Sequence, residues 1–288
     1  MPRRNRAKAE RRHFGSGVDA PLPRLRTRAF LLMAASWFLL WTMTSYWGPL
    51  FFTGTWLGAT VLIYSTGPRH YPGIKRHLAL SLLSVPLWWW FELVNSRVDN
   101  WEYLTASDYG AVSYALFASL AFSTVAPALD AATRITLGIF RFDAAPSTHH
   151  SRTLAATEIL AGAASVPITF IAPDLCFPLV WVGPFLIFDG IVLIQGGRGI
   201  LTALITGEWR IAVAVGVAGL LCGALWEFWN FWANPQWVYH LPYLDFLHIF
   251  EMPVLGYLGY IPFAWSVYQL INLPMLSRYL PSQIQEAQ

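Results

Sequence analysis

Two short segments of this 288-residue chain carry a carboxylate and an amide at helical spacing. Glu92 and Asn95 are three residues apart, and so are Glu227 and Asn230, which sets both groups of each pair on one helix face. Each pair is followed by Trp-x-Tyr: Trp101 and Tyr103 after the first, Trp237 and Tyr239 after the second. Trp226 and Trp229 flank Glu227, and Asp189 and Glu251 are two further acids in apolar surroundings. A carboxyl group in such surroundings is costly unless protonated, hydrogen-bonded or facing a cavity, so each is a functional candidate. No Lys or Arg interrupts the apolar runs that hold them. They read as acids that are protonated, or hydrogen-bonded to Asn, Tyr and Trp, and able to donate a proton inside a dry aromatic pocket. In that reading Glu227 is the main acid, Glu251 and Asp189 are its partner or proton relay, and Asn230 orients it. Trp226, Trp229, Trp237 and Tyr239 line the pocket, while Glu92, Asn95, Trp101 and Tyr103 form a degenerate or mirror counterpart. The same residues admit a structural reading, with Asn as a helix-end cap and Trp-x-Tyr as an interfacial belt.

The elements that would position these groups are membrane spans. Hydrophobic residues make up 56% of the chain and charged residues 12%, which excludes an ordinary soluble domain. Eight spans are expected, near 29–46, 49–66, 77–96, 110–129, 157–173, 178–195, 210–231 and 246–272. The fold class is therefore all-α, a polytopic membrane helical bundle. Residues 1–28 form a basic cytoplasmic tail, which reads as a topology signal, and 273–288 a C-terminal tail. With the N-terminus placed in the cytoplasm, only Arg97 of the 19 Lys and Arg falls outside, in accord with the positive-inside rule. The expectation is a multi-pass protein of the inner (plasma) membrane with both termini cytoplasmic. Membrane lipids are its surroundings, and nucleic acid is not an expected partner.

An internal duplication runs through the spans at an offset of 135 residues. Gly48-Pro49 matches Gly183-Pro184, Glu92 matches Glu227, Asn95 matches Asn230 and Pro127 matches Pro262. Trp101 and Tyr103 match Trp237 and Tyr239 after a one-residue insertion. Repeat 1 covers 29–129 and repeat 2 covers 157–272, joined by a cytoplasmic linker over 130–156 in which His149 and His150 read as solvated loop residues. Four spans per repeat leave both halves with the same orientation, related by an axis along the membrane normal. Gly216 and Gly223 extend the Glu227 face with small residues that suit close helix packing.

Absent motifs narrow the chemistry. The chain has no DDxxD-like cluster, HExxH, P-loop, GxGxxG context or nucleophile elbow, and Cys176 and Cys222 have no metal-ligand spacing. No cofactor and no metal are expected. Trp226-Glu227-x-x-Asn230, Trp237-x-Tyr239, Glu251-x-Pro253 and Pro262 together are similar to a pattern of membrane carotenoid enzymes, the heterodimeric-type lycopene cyclases and the carotenoid hydratases. The Pro-Glu-Glu signature of the cyclases is absent, and Asn230 stands where the hydratases have Gly. What the resemblance implies is a helical membrane enzyme in which Glu227 or Glu251 protonates an isoprenoid polyene and Trp and Tyr faces stabilise the carbocation. A proton-coupled transporter or lipid-binding protein, and a membrane scaffold without catalysis, are the alternatives. The substrate or ligand expected is a hydrophobic lipid or isoprenoid.

Overall fold

The computed structural model describes residues 22–44, 46–66, 72–140, 151–276 and 280. The basic tail through residue 21, His149, His150 and most of the C-terminal tail lie outside the described residues.

A chain this apolar has no water to satisfy its backbone groups within a bilayer, so helix is the structure it can adopt there. Among the described residues, α1 (Leu22–Thr42), α2 (Gly48–Thr66) and α3 (Ile74–Val98) lead into a short strand, β1 (Trp101–Tyr103). Then follow α4 (Ala111–Phe122), α5 (Val125–Ile139), α6 (Arg152–Ile171), the single turn α7 (Pro173–Cys176) and α8 (Leu179–Ile194). The short α9 (Ile200–Thr206) and the long α10 (Trp209–Asn230) precede β2 (Trp237–Tyr239), β3 (His248–Ile249), β4 (Met252–Pro253) and α11 (Tyr260–Ile271). Among the described residues, five segments are long and apolar enough to cross a membrane: Ile74–Val98, Ala111–Ile139, Arg152–Ile171, Trp209–Asn230 and Val254–Ile271.

Small residues set the tightest packing. Helices α1 and α2 form one close hairpin, with Ser36 against Gly54; α6 and α8 form another, with Ser165 against Gly183. Gly219 and Gly223 bring α10 onto α11, where an added Cβ at 223 would enter the Tyr260 ring. The break between α4 and α5 has a specific cause. The Ser84 hydroxyl of α3 donates to Phe122 O at 2.5 Å and accepts from Ala126 N at 3.0 Å, so one side chain replaces the backbone bonds the break removes.

Two differences from the sequence expectation concern boundaries. The stretch 130–139, expected as linker, continues α5. Its charged residues are paired inside the bundle: Arg76 and Arg134 both reach Asp130, at 2.8 and 3.0 Å, and the Tyr64 hydroxyl donates to it at 2.6 Å. The stretch 246–253, expected as the start of a span, is instead the small β3–β4 hairpin.

The second ribbon was not expected and matters more. Strands β1 and β2 pair antiparallel in the register Trp101↔Tyr239, Glu102↔Val238 and Tyr103↔Trp237. Beyond the strands, His240 N donates to Asn100 O and Leu104 N to Gln236 O, both at 2.8 Å. The two Trp-x-Tyr segments are thus bound to each other across the end of the bundle.

Candidate functional site

Each Asn holds a strand. The Asn95 side chain donates to Trp101 O at 2.7 Å and accepts from Asn100 N and Trp101 N at 2.9 and 3.3 Å. Asn230 donates to Trp237 O at 2.6 Å and accepts from Trp237 N at 2.8 Å. Such bonds replace the ladder partners a short strand lacks. Asn230, expected to orient Glu227, makes no hydrogen bond of its own to it and acts through the strand. Its amide fixes Trp237, and the strand carries Tyr239 back so that its hydroxyl donates to Glu227 Oε1 at 2.7 Å. The first segment does the same: Tyr103 donates to Glu92 Oε1 at 2.7 Å. Carboxylate, amide, strand and tyrosine form a closed ring in both places.

The remaining partners differ. Glu92 also accepts from the indole nitrogens of Trp88, at 2.8 Å, and Trp101, at 3.2 Å. Glu227 instead accepts from the Tyr260 hydroxyl at 2.6 Å, while the Trp237 indole donates to the Tyr239 hydroxyl at 2.9 Å. The exchange has a steric origin. Four residues before Glu92 stands Trp88; four before Glu227 stands Gly223, whose missing side chain leaves the space the Tyr260 ring fills. Burial first, and the adjacent carboxylate second, hold the Tyr103 and Tyr239 hydroxyls well above the usual tyrosine range.

Between the two rings lies a cavity of about 460 Å³. Tyr103, Tyr239 and Tyr260 line it, with Trp88, Trp101, Trp181, Trp226 and Trp237. Neither Glu92 nor Glu227 does, and no lining residue is charged. Glu227 is fully buried, behind Tyr239 and Tyr260. Each acid therefore reaches the cavity through aromatic O–H or N–H groups.

No family model, no curated protein and no solved structure matches this chain.

Of the other expected site residues, Asp189 and Trp229 lie outside this cluster, and Glu251 makes no hydrogen bond to Glu227 or its tyrosines. Asp189 is buried on α8, accepting from Ile200 N at 2.6 Å, Leu201 N at 3.1 Å and the Gln269 amide, with Glu158 beside it. It serves the start of α9. Glu251 lies in the β3–β4 turn, where its Oε1 accepts from Gln236 Nε2 at 2.9 Å. Trp229 points into the core, edge-on to Trp56 at 4.7 Å, and does not line the cavity. Among the described residues no three His, Cys, Asp or Glu side chains gather as a metal-ligand set. The sequence reading missed Trp88 and Tyr260. A signal existed for both: comparing the positions four before each Glu exposes the Trp-for-Gly exchange.

Proposed function

We propose that this protein is an integral-membrane enzyme that binds an apolar isoprenoid or other lipid chain in the cavity between the two tyrosine–glutamate rings and transforms it by acid chemistry. The observation that carries the reading is the Tyr260–Glu227–Tyr239 arrangement, a fully buried carboxyl bonded at 2.6 and 2.7 Å to two hydroxyls that face an aromatic cavity. Tyrosine both donates and accepts, so these contacts can reverse. With the carboxyl protonated, Glu227 donates to the Tyr260 oxygen and the Tyr260 hydrogen turns to the cavity. A concerted hop then delivers a proton to a substrate C=C bond. Its π pair forms the new C–H bond, and the neighbouring carbon becomes cationic. Trp88, Trp226 and Trp237 line the cavity, and an indole face turned to the cation would stabilise it. The cation closes a ring, adds water or does neither, and in each case a proton then leaves the substrate for Tyr239 and on to the Glu227 carboxylate, completing cyclisation, hydration or isomerisation. This is the chemistry implied by the resemblance to carotenoid cyclases and hydratases, with Glu227 in the part of the acid and Glu251 outside it.

The architecture we propose is eight spans in two parallel repeats. Supporting the count, α1, α2 and α8 are apolar helices of 21, 19 and 16 residues beside the five longer segments. Supporting the repeat, the α1–α2 and α6–α8 hairpins use the same Ser–Gly contact, and α2 packs on α5 as α8 packs on α11. That contact shifts one alignment: Ser36 to Ser165 and Gly54 to Gly183 are both 129 positions, so Gly48-Pro49 corresponds to Phe177-Pro178, not to Gly183-Pro184. For orientation, the described Lys and Arg residues other than Arg97 sit toward the end away from the β1–β2 ribbon, which favours cytoplasmic termini in the plasma membrane.

Expression in hosts that accumulate carotenes or shorter prenyl chains, with product analysis, tests the enzyme reading. A new cyclic, hydrated or isomerised product lost in Glu227→Gln supports it, and unchanged products from both hosts overturn it. One observation favours a second reading. The buried Glu158–Asp189 pair and the Asp130 cluster lie toward the opposite end. Carboxyls toward both ends suit a proton-coupled carrier, for which pH-driven uptake into proteoliposomes is the assay.

A further inference from the structure

Five indoles line the cavity, and three of them spend their N–H groups on the rings: Trp88 and Trp101 on Glu92, Trp237 on Tyr239. Trp181 and Trp226 do not. Among the described residues neither indole nitrogen has a hydrogen-bond partner, and neither is sealed in the packing as those of Trp37, Trp56 and Trp229 are. In the repeat proposed above, the offsets of 129 and 135 set Phe52 against Trp181 and Phe91 against Trp226. A ring that only packs can be phenylalanine, as it is twice in repeat 1; the added N–H in repeat 2 calls for a partner. Trp181 is the more open of the two, half-buried where Trp226 is 5% exposed. Its ring is held by stacking, with centroids 5.0 Å from Phe91 and 5.7 Å from Trp101. Its nitrogen edge faces Gly259, where an added Cβ would stand 3.2 Å from Cδ1 and 3.3 Å from Nε1. Gly259 has φ −63° and ψ −27°, a conformation open to any residue, so the backbone does not require glycine there. What the missing side chain leaves is room at the indole N–H.

We infer that the cavity's ligand carries a carbonyl group whose oxygen accepts from the Trp181 N–H beside Gly259, which makes it a neutral ketone, aldehyde or ester of an otherwise apolar chain. The proposal rests on the cavity being the substrate site described above. An indole nitrogen donates and cannot accept, so its partner must be an acceptor. No charged residue lines the cavity, so a phosphate or carboxylate oxygen would be buried without a counter-charge. A carbonyl oxygen offers two lone pairs and brings no hydrogen. An alcohol would add a donor to a wall whose reachable unbonded side-chain groups are two indole N–H groups and the Tyr114 hydroxyl of α4.

The test compares farnesylacetone with its methylene analogue, in which C=CH2 replaces C=O. Both are tritiated and bind the full-length protein in nanodiscs of ether-linked phospholipid, which contains no carbonyl; empty nanodiscs correct for partition. The wild type should bind the ketone at least about fivefold more tightly, the usual worth of one neutral hydrogen bond. Trp181→Phe keeps a ring, the one repeat 1 uses, and removes the donor. It should bring the two affinities within about twofold by weakening the ketone alone. The infrared C=O stretch of the bound ketone should rise in the same variant, while Trp226→Phe and Tyr114→Phe should leave the preference in place. If Trp181→Phe does not fold, Gly259→Ala, which covers the N–H, carries the comparison. Equal wild-type affinities, a preference that survives loss of the Trp181 N–H, or one lost equally in Trp226→Phe or Tyr114→Phe overturn the inference. Glu227→Gln separates it from the acid chemistry, since that variant should keep the ketone preference while losing turnover. A Trp181-dependent preference beside an inactive wild type would fault the catalytic reading alone. Ester-linked nanodiscs decide the source: ketone binding weakened there in the wild type and not in Trp181→Phe makes the carbonyl that of a membrane lipid ester, and unchanged binding makes it that of a free ligand.

Discussion

Glu92 and Glu227 stand at matched positions, each followed by an Asn that ties down a Trp-x-Tyr strand and a Tyr that returns to the carboxyl. What differs is the kind of hydrogen on the other bonds. Glu92 takes two indole N–H groups and one hydroxyl; Glu227 takes two hydroxyls. An indole nitrogen donates but cannot accept, so it holds a carboxylate without passing a proton on. A hydroxyl does both. In the acid chemistry proposed above, one ring would hold its acid and the other would use it, and the Trp-for-Gly exchange on the helix is what separates their partners.

The largest expected effect breaks the symmetry at the acids themselves. Glu227→Gln should lower turnover by about 10²–10⁴-fold, the usual worth of a positioned acid. Glu92→Gln should lower it by less than about tenfold, because an amide there still accepts the Trp and Tyr donors. Product yields from matched expression levels make the comparison. Equal losses would mean that both rings do chemistry.

Next come the two amides, where the rings should behave alike. Asn95→Ala and Asn230→Ala each leave strand backbone groups without partners, at a cost of about 1–3 kcal/mol. Thermal unfolding in detergent should show similar losses of Tm for the pair. Activity should fall further for Asn230→Ala, since its strand carries Tyr239. A stability loss confined to one variant would show that the ribbon is anchored from one side.

Gly223→Ala probes the origin of the difference. An added Cβ there enters the Tyr260 ring, so that ring must move, with overpacking costing about 1–3 kcal/mol. Turnover should fall with the loss of the Tyr260–Glu227 contact, and Tyr260→Phe should reproduce the activity loss with a smaller change in Tm. If Gly223→Ala retains full turnover, Tyr260 is not part of the relay.

How far the sequence could be read follows from which forces are local. Apolar composition and the five long hydrophobic segments were legible, because bilayer burial acts residue by residue. The pairing of Glu92 with Glu227 was legible because the motif is written twice. Its meaning was not. Asn230 read as the orienter of Glu227, yet its amide, like that of Asn95, bonds to a strand that pairs with the other segment across the bundle end. Asp189 was drawn to Glu227 by shared chemistry alone, and the start of α9 holds it elsewhere; Glu251 is bonded to Gln236 from the β3–β4 turn and not to Glu227. The linker was expected to begin at 130, since nothing in the sequence marks Arg76, 54 residues earlier, as the partner of Asp130.

The smallest effect asks whether the rings still match where they share a part. Tyr103 and Tyr239 are each held well above the usual tyrosine range by burial and a neighbouring carboxylate. Below about pH 10 the folded and unfolded chains both keep these protons, so the contribution to stability is complete. Above it the unfolded chain releases them and the folded chain does not; the folded state holds more protons, and stability falls as pH rises. The slope is at most about 1.4 kcal/mol per pH unit for each tyrosine. Unfolding midpoints measured between pH 8 and 11 should therefore decline, and Tyr103→Phe and Tyr239→Phe should each flatten the decline by a similar amount. A flattening in Tyr239→Phe alone would carry the difference between the rings into the ribbon, beyond the Trp-for-Gly exchange that accounts for it here.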